Sequence, residues 1–165
     1  MDTSLYLDKF QKAADKLDKK LLAQKQVESA VVMYGEDCVV LKLFKRSWTN
    51  QFQDPLTSET RIFFSVWVSD SSVKEQKLLY NIHALKLRQL KGYAIQNRKF
   101  ADIFRHSFKA FEHKWKNVSV DFGPLTLMEG WLKIDMGNFQ GDILELAGNF
   151  LEIEHLVDDT LAHFK

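Results

Sequence analysis

The chain has 165 residues, of which 45% are hydrophobic and 27% charged, and its formal net charge is +1. This size and composition are typical of one globular domain that buries a core without disulfides, and they exclude a disordered chain. The first residues contain no signal-like apolar run, and no window approaches a membrane helix. Because the single cysteine, Cys38, has no partner in the chain, we expect a cytoplasmic protein.

Charge is unevenly distributed along the chain. Residues 74–116 contain 11 Lys and Arg against 3 Asp and Glu, whereas residues 117–165 contain 2 against 9, so the two segments carry net charges of +8 and −7. A basic surface can serve an anionic partner, and two opposite segments can also face each other across the fold. The near-zero total favours pairing within the chain.

The N-terminal third predicts a helix followed by a hairpin. Residues 4–28 carry apolar side chains at spacings of three and four, with Asp2 or Thr3 as a cap. Two β-branched runs around Gly35-Glu36-Asp37 predict strands at 29–34 and 38–46. A third strand is predicted within residues 60–70, and both its faces are apolar enough for a central strand.

A polar segment of thirteen residues, 47–59, separates the second and third predicted strands and carries Trp48 and Phe52. Loops of this length in compact domains are often functional. We therefore place a hypothetical ligand site where Trp48 and Phe52 meet a sheet face that bears Trp67 and Trp131. The alternative is that these rings only complete the core.

The basic segment predicts two helices. Ser72 and Glu75 match a capping box, so a helix is expected from Val73 to Gly92. Asn97 can cap the next helix, which has an aromatic stripe that is typical of a core. The stripe comprises Phe100, Ile103, Phe104, Ser107, Phe108, Phe111 and Trp115.

Two strands, 118–122 and 126–135, and a long helix from about 138 to 163 complete the predicted elements. The order α-βββ-αα-ββ-α, without an internal repeat or a linker, predicts a single α+β domain over residues 1–165. We expect a mostly antiparallel sheet of about five strands with helices packed on one face.

Motifs for chemistry are weak. Asp121-Phe122-Gly123 is the tripeptide of a kinase magnesium site, but no glycine-rich loop or catalytic loop precedes it, so it is interpreted as the end of a strand. His83 lies in an apolar run and is expected to be partly buried. Cys38 has no basic motif beside it, and no nucleophile elbow or phosphate loop is present.

One face of the last predicted helix carries four potential metal ligands, Glu152, His155, Asp159 and His163. Di-iron bundles use Glu-x-x-His on two helices, and no second copy exists here. A solvated acidic face is therefore the preferred interpretation, and no cofactor is expected.

The preferred functional hypothesis is a non-catalytic module that binds an unidentified ligand or a protein partner, with a homodimer as one form of that partner. The first alternative is a nucleic-acid-binding protein that uses the basic helices 73–116. Its contacts would be Lys86, Arg88, Arg98, Lys99 and Arg105. A further alternative is an enzyme whose site is assembled from distant residues, but no motif supports catalysis.

Overall fold

A computed structural model describes all of residues 1–165. The strands are β1 (Glu28–Tyr34), β2 (Cys38–Phe44), β3 (Arg61–Ser69), β4 (Lys77–Leu85) and β5 (Thr126–Lys133). The helices are α1 (Thr3–Asp15), α2 (Lys19–Gln24), α3 (Asp70–Lys74), α4 (Asn97–Phe108) and α5 (Phe139–Ala162). The sheet is antiparallel with strand order β1-β2-β3-β4-β5, which confirms the predicted α+β class. No helix combines the length and the apolar composition needed to cross a bilayer.

The core lies between one face of the sheet and the helices. Successive residues of a strand point to opposite faces, and one set of alternate residues in β2 to β5 is almost fully buried under α1, α4 and α5. Phe64 of β3 stacks on Phe150 of α5 with ring centroids 4.6 Å apart, and Trp115 packs edge-on against Phe64 at 5.8 Å. The predicted aromatic stripe of α4 joins this core through its buried phenylalanines.

A cluster of ion pairs and hydrogen bonds links α5 to Lys45 and Trp48, which follow β2. The Lys45 ammonium lies 2.5 Å from the Glu154 carboxylate and 2.6 Å from that of Asp158, and the Trp48 indole donates to Asp158 at 2.8 Å. Burial alone would lower the pKa of Lys45, but the two carboxylates raise it. Part of the negative charge of α5 is thus compensated by Lys45, which lies outside the basic segment 74–116.

The predicted helix 73–92 is wrong. Ser69, not Ser72, is the N-cap, and its helix α3 ends after five residues, followed by Gln76 with a positive φ of 60°. Residues Lys77–Leu85 form β4 instead, because hydrogen-bonding partners on both sides, β3 and β5, favour the period-two pattern of this segment.

Two smaller predictions also need correction. The predicted helix 4–28 is divided, because Asp18 caps a separate helix α2, whereas Asp2 caps α1 as expected. The predicted strand 118–122 contributes only one bridge, between Ser119 and Glu129. Asp121 and Phe122 are exposed and lie outside any strand.

The charged segments pair little with each other. Among the ion pairs of the protein, Lys114 with Glu152 at 2.9 Å is the one that joins the basic segment to the acidic one. The expectation that the two segments neutralise each other across the fold is therefore met at a single contact.

Gly130 of β5 sits under a buried tyrosine. The Tyr80 hydroxyl donates to the Lys116 carbonyl at 2.6 Å, and a Cβ atom at position 130 would overlap with that hydroxyl. Burial also raises the pKa of Tyr80. Only glycine leaves room for this ring between β4 and β5.

We expect Gly130→Ala to lower the free energy of unfolding by about 1–3 kcal/mol, the usual cost of overpacking a core. Gly148→Ala is the matched control, because Gly148 lies inside α5 with no atom near the added Cβ, and it should raise stability by about 0.5–1 kcal/mol. Urea titration of both variants measures the difference. Equal effects of the two substitutions would contradict this account of Gly130.

Candidate functional site on the second face of the sheet

The face of the sheet opposite the helices, the second face, contains a cleft of about 490 Å³. This volume lies within the range of small-molecule sites in proteins. The side chains that line the cleft come from all five strands, and they are the alternate residues not used in the helix-covered core. The cleft is therefore a direct product of strand alternation.

A row of polar side chains crosses the floor of the cleft. The strand register places Lys42 of β2 opposite Ser65, Ser65 opposite Asn81, and Asn81 opposite Glu129. The Ser65 hydroxyl donates to the Asn81 side-chain oxygen, and the Asn81 amide donates to Glu129 Oε1 at 3.1 Å. We call these four residues the polar row. The two hydrogen bonds between members of the row, from Ser65 to Asn81 and from Asn81 to Glu129, both run toward Glu129.

Apolar residues flank the polar row on one side. The neighbouring row consists of Val32, Val40, Trp67, Leu79 and Trp131. On the other side lie Phe63 and His83, whose rings are 5.3 Å apart. A ligand on the floor would thus contact polar groups between two apolar borders.

Lys42 is buried, with 1% of its surface exposed, yet it forms no ion pair. Its ammonium donates to the Tyr34 hydroxyl, lies 3.5 Å from the Leu56 carbonyl, and sits 4.4 Å from the Phe63 ring centroid. A lysine ammonium has three N–H donors, and these contacts use two of them. A buried cation without a carboxylate is costly unless an anion compensates it.

Arg61 adds a second cation to the cleft. Its guanidinium carbon lies 5.1 Å from the Phe63 ring centroid, and Nη1 donates to the Ser58 carbonyl. The buried Nε has no hydrogen-bond partner. Lys42 and Arg61 therefore approach the same ring, and neither is neutralised by the protein.

His83 is neutral in the cleft at neutral pH. Burial lowers its pKa below the usual value for histidine, and the contact with the Leu125 carbonyl and the charge of Glu129 oppose this effect only in part. Its Nδ1 lies 3.4 Å from the Leu125 carbonyl and 3.3 Å from the Thr126 hydroxyl. The ring thus serves as a flat, uncharged surface.

These groups suit binding better than nucleophilic catalysis. A serine nucleophile needs a base that accepts its proton, whereas the Ser65 hydroxyl donates to an amide oxygen. Burial, together with the charge of Asp37, raises the pKa of Cys38, so its thiol is less ionised than usual. The cleft could contact a ligand through its two cations, Lys42 and Arg61, and through its aromatic rings.

The structure separates the four aromatic residues predicted for the ligand site. Trp48 is fully buried on the helix side, where it packs against Phe150, and Phe52 is 97% exposed at a loop tip with a φ of 67°. Trp67 and Trp131 lie in one row on the second face, but only Trp67 lines the cleft. The expected meeting of the loop rings with this face does not occur.

The four potential metal ligands on α5 do not form a cluster. Glu152, His155, Asp159 and His163 are all exposed, and no group of three or more metal-ligating side chains comes together anywhere in the protein. Glu152 pairs with Lys114, and His155 packs edge-on against Phe111. These contacts are typical of a solvated helix face.

The basic residues proposed for nucleic acid are only partly brought together. Lys86, Arg88 and Arg98 line a shallow groove at the start of α4, and Lys99 is exposed nearby in sequence. Arg105 is committed to the fold, because it donates to the carbonyls of Phe122, Gly123, Thr126 and Leu127. The proposed pair of basic helices does not exist, since residues 77–85 form a strand.

The polar row was not predicted from the sequence, although a signal for it was present. Each of β2 to β5 carries one row residue with apolar neighbours on both sides or close by: Lys42, Ser65, Asn81 and Glu129. A lone polar residue in the middle of an apolar strand indicates a special environment, since its burial is costly. The signal was hidden because residues 77–85 were predicted as a helix.

No protein-family model matches this chain, and no match was found among curated proteins or among solved structures.

The lowered pKa of His83 predicts a pH-dependent stability. The unfolded chain takes up a proton at this residue near pH 6.5, above the folded pKa, so wild-type stability should fall as the pH drops from 7.5 to 5.5. His83→Gln removes this contribution, and its loss of stability over that range should be smaller by at most about 1.4 kcal/mol per pH unit. Urea unfolding at both pH values measures the difference. Parallel losses in the two proteins would contradict the prediction.

Proposed function

We propose that the protein is a non-catalytic binding module that holds a small anionic ligand on the second face of its sheet. The observation that carries the proposal is Lys42, a lysine at 1% exposure in the floor of the cleft with no carboxylate partner. Arg61 lies beside the same Phe63 ring, and its Nε has no partner. An anionic group on the ligand would supply the compensation that the chain lacks.

The apolar part of the ligand would contact the rings around the cleft. Phe63 and Trp67 lie on either side of Ser65 on the cleft face of β3, and Tyr34 of β1 and Leu85 of β4 also line the cleft. Aromatic walls with a few polar groups are common in small-molecule sites. A flat or extended apolar group with one acidic substituent fits this arrangement.

The proposal also includes a reducing compartment and a protein partner. The unpaired Cys38 supports the cytoplasm as the location. A second copy of the chain is the partner that we propose, because β1 is an edge strand of seven residues without proline or lysine. Sedimentation equilibrium should give twice the chain mass at micromolar concentration, and a monomer at all concentrations would contradict this part.

Binding of a pair of dyes tests the proposed ligand chemistry. Anilinonaphthalene sulfonate is anionic, and phenylnaphthylamine has the same ring system without the charge. We expect Lys42→Met to weaken binding of the sulfonate about tenfold or more, since a charge-assisted hydrogen bond contributes about 1.5–3 kcal/mol. Binding of the neutral dye should stay unchanged, because methionine keeps the apolar stem. Fluorescence titration gives both dissociation constants.

Lys99→Met is the matched control, because Lys99 is an exposed lysine on α4, on the helix side of the sheet. It should leave the affinity for both dyes unchanged. Urea titration should show that Lys42→Met remains folded, since it removes an uncompensated buried charge. Equal sulfonate affinity in wild type and Lys42→Met, or equal losses in the two lysine variants, would overturn the proposal.

A further inference from the structure

The cleft carries a negative group as well as positive ones. Glu129 is half-buried at the β5 end of the polar row and forms no ion pair. Asn81 donates to its Oε1, and no side chain donates to its Oε2. The second carboxylate oxygen is therefore free for a donor from outside the protein.

The residues between the two charged ends cannot neutralise them. Ser65 and Asn81 are uncharged, and their hydrogen bonds to each other and to Glu129 fix their orientation. His83 lies one row away and is neutral at neutral pH because burial lowers its pKa. The cleft therefore has a positive end at Lys42 and Arg61, an uncharged middle and a negative end at Glu129.

The length of the cleft follows from the strand spacing. Lys42 and Glu129 lie three strands apart, which corresponds to about 14 Å between backbones. The Lys42 ammonium sits between the Tyr34 hydroxyl of β1 and the Phe63 ring of β3, so it stays near its own strand. The Glu129 carboxylate reaches toward Asn81 of β4 and shortens the distance from the other end. The two free charges are therefore separated by about 10 Å.

We propose that the ligand is a linear zwitterion, with an anionic group bound by Lys42 and Arg61 and an ammonium group bound by Glu129 about 10 Å away. An extended, unblocked tripeptide has this length, at about 3.3–3.6 Å per residue. Its central side chain would lie against Phe63 and Trp67. This inference rests on the proposed function, because it assigns the anionic end to the same two cations.

Three forms of one tripeptide test the inference: free glycyl-phenylalanyl-glycine, its N-acetylated form and its C-terminal amide. Each is titrated against the protein with bound phenylnaphthylamine, the neutral dye whose binding should not depend on Lys42, and displacement of the dye gives its affinity. We expect the free tripeptide to bind about tenfold more tightly than either blocked form, since each block removes one charge-assisted contact.

Two variants test which residue binds which end of the tripeptide. Glu129→Gln keeps the size of the side chain and the acceptor for Asn81, and it should abolish the difference between the free and acetylated peptides. Lys42→Met should abolish the difference between the free peptide and its amide. Each variant should leave the other difference in place, which a general loss of folding would not do.

The outcomes separate this inference from the proposed function. Sulfonate binding that depends on Lys42, together with equal affinity for the free and acetylated peptides, would overturn the zwitterion and leave the anionic ligand standing. Sulfonate binding that is independent of Lys42 would overturn both. Undiminished affinity for a free peptide twice as long would contradict the proposed spacing.

Discussion

The structure depends on one constraint: a sheet has two faces, and the main helices of this protein, α1, α4 and α5, pack on one of them. Alternate residues of each strand are committed to the core, where Phe64 and Phe150 stack. The remaining alternate residues must form the other face. Since the antiparallel register aligns them across four strands, single polar residues at mid-strand become a continuous row.

Two buried lysines, Lys42 within β2 and Lys45 just after it, lie in different environments. Lys45 lies on the helix side with two carboxylates within 2.6 Å, so its charge is compensated and contributes to holding α5. Lys42, three residues earlier, points to the opposite face and contacts only aromatic rings, a hydroxyl and a carbonyl. Cation–π contacts contribute about 0.5–2 kcal/mol each, less than the several kcal/mol that burial of a charge costs. That imbalance is the physical basis of the proposed anion site.

Local patterns predicted most of the fold but failed where two patterns overlapped. The segment after Ser72 satisfies both a capping box and a period-two alternation, and an isolated sequence gives no reason to prefer the second. Pairing with β3 and β5 decided in favour of a strand. The same error concealed Asn81 and the position of His83 on a sheet face, so the central part of the candidate site could not be predicted. The prediction for Trp48 and Phe52 was wrong because the aromatic residues of a loop do not show which face of the sheet the loop covers.

The sequence by itself determined the α+β class, the first hairpin, β3, α4 and the long C-terminal helix, because periodicity and caps are local properties. It also determined that the charges are divided between two segments. Only the tertiary structure decided that β4 is a strand, that Trp48 belongs to the core, and that Lys42 and Glu129 stand at opposite ends of one cleft. Those facts depend on strand register and on the choice of the helix-covered face, which arise from contacts between residues far apart in the chain.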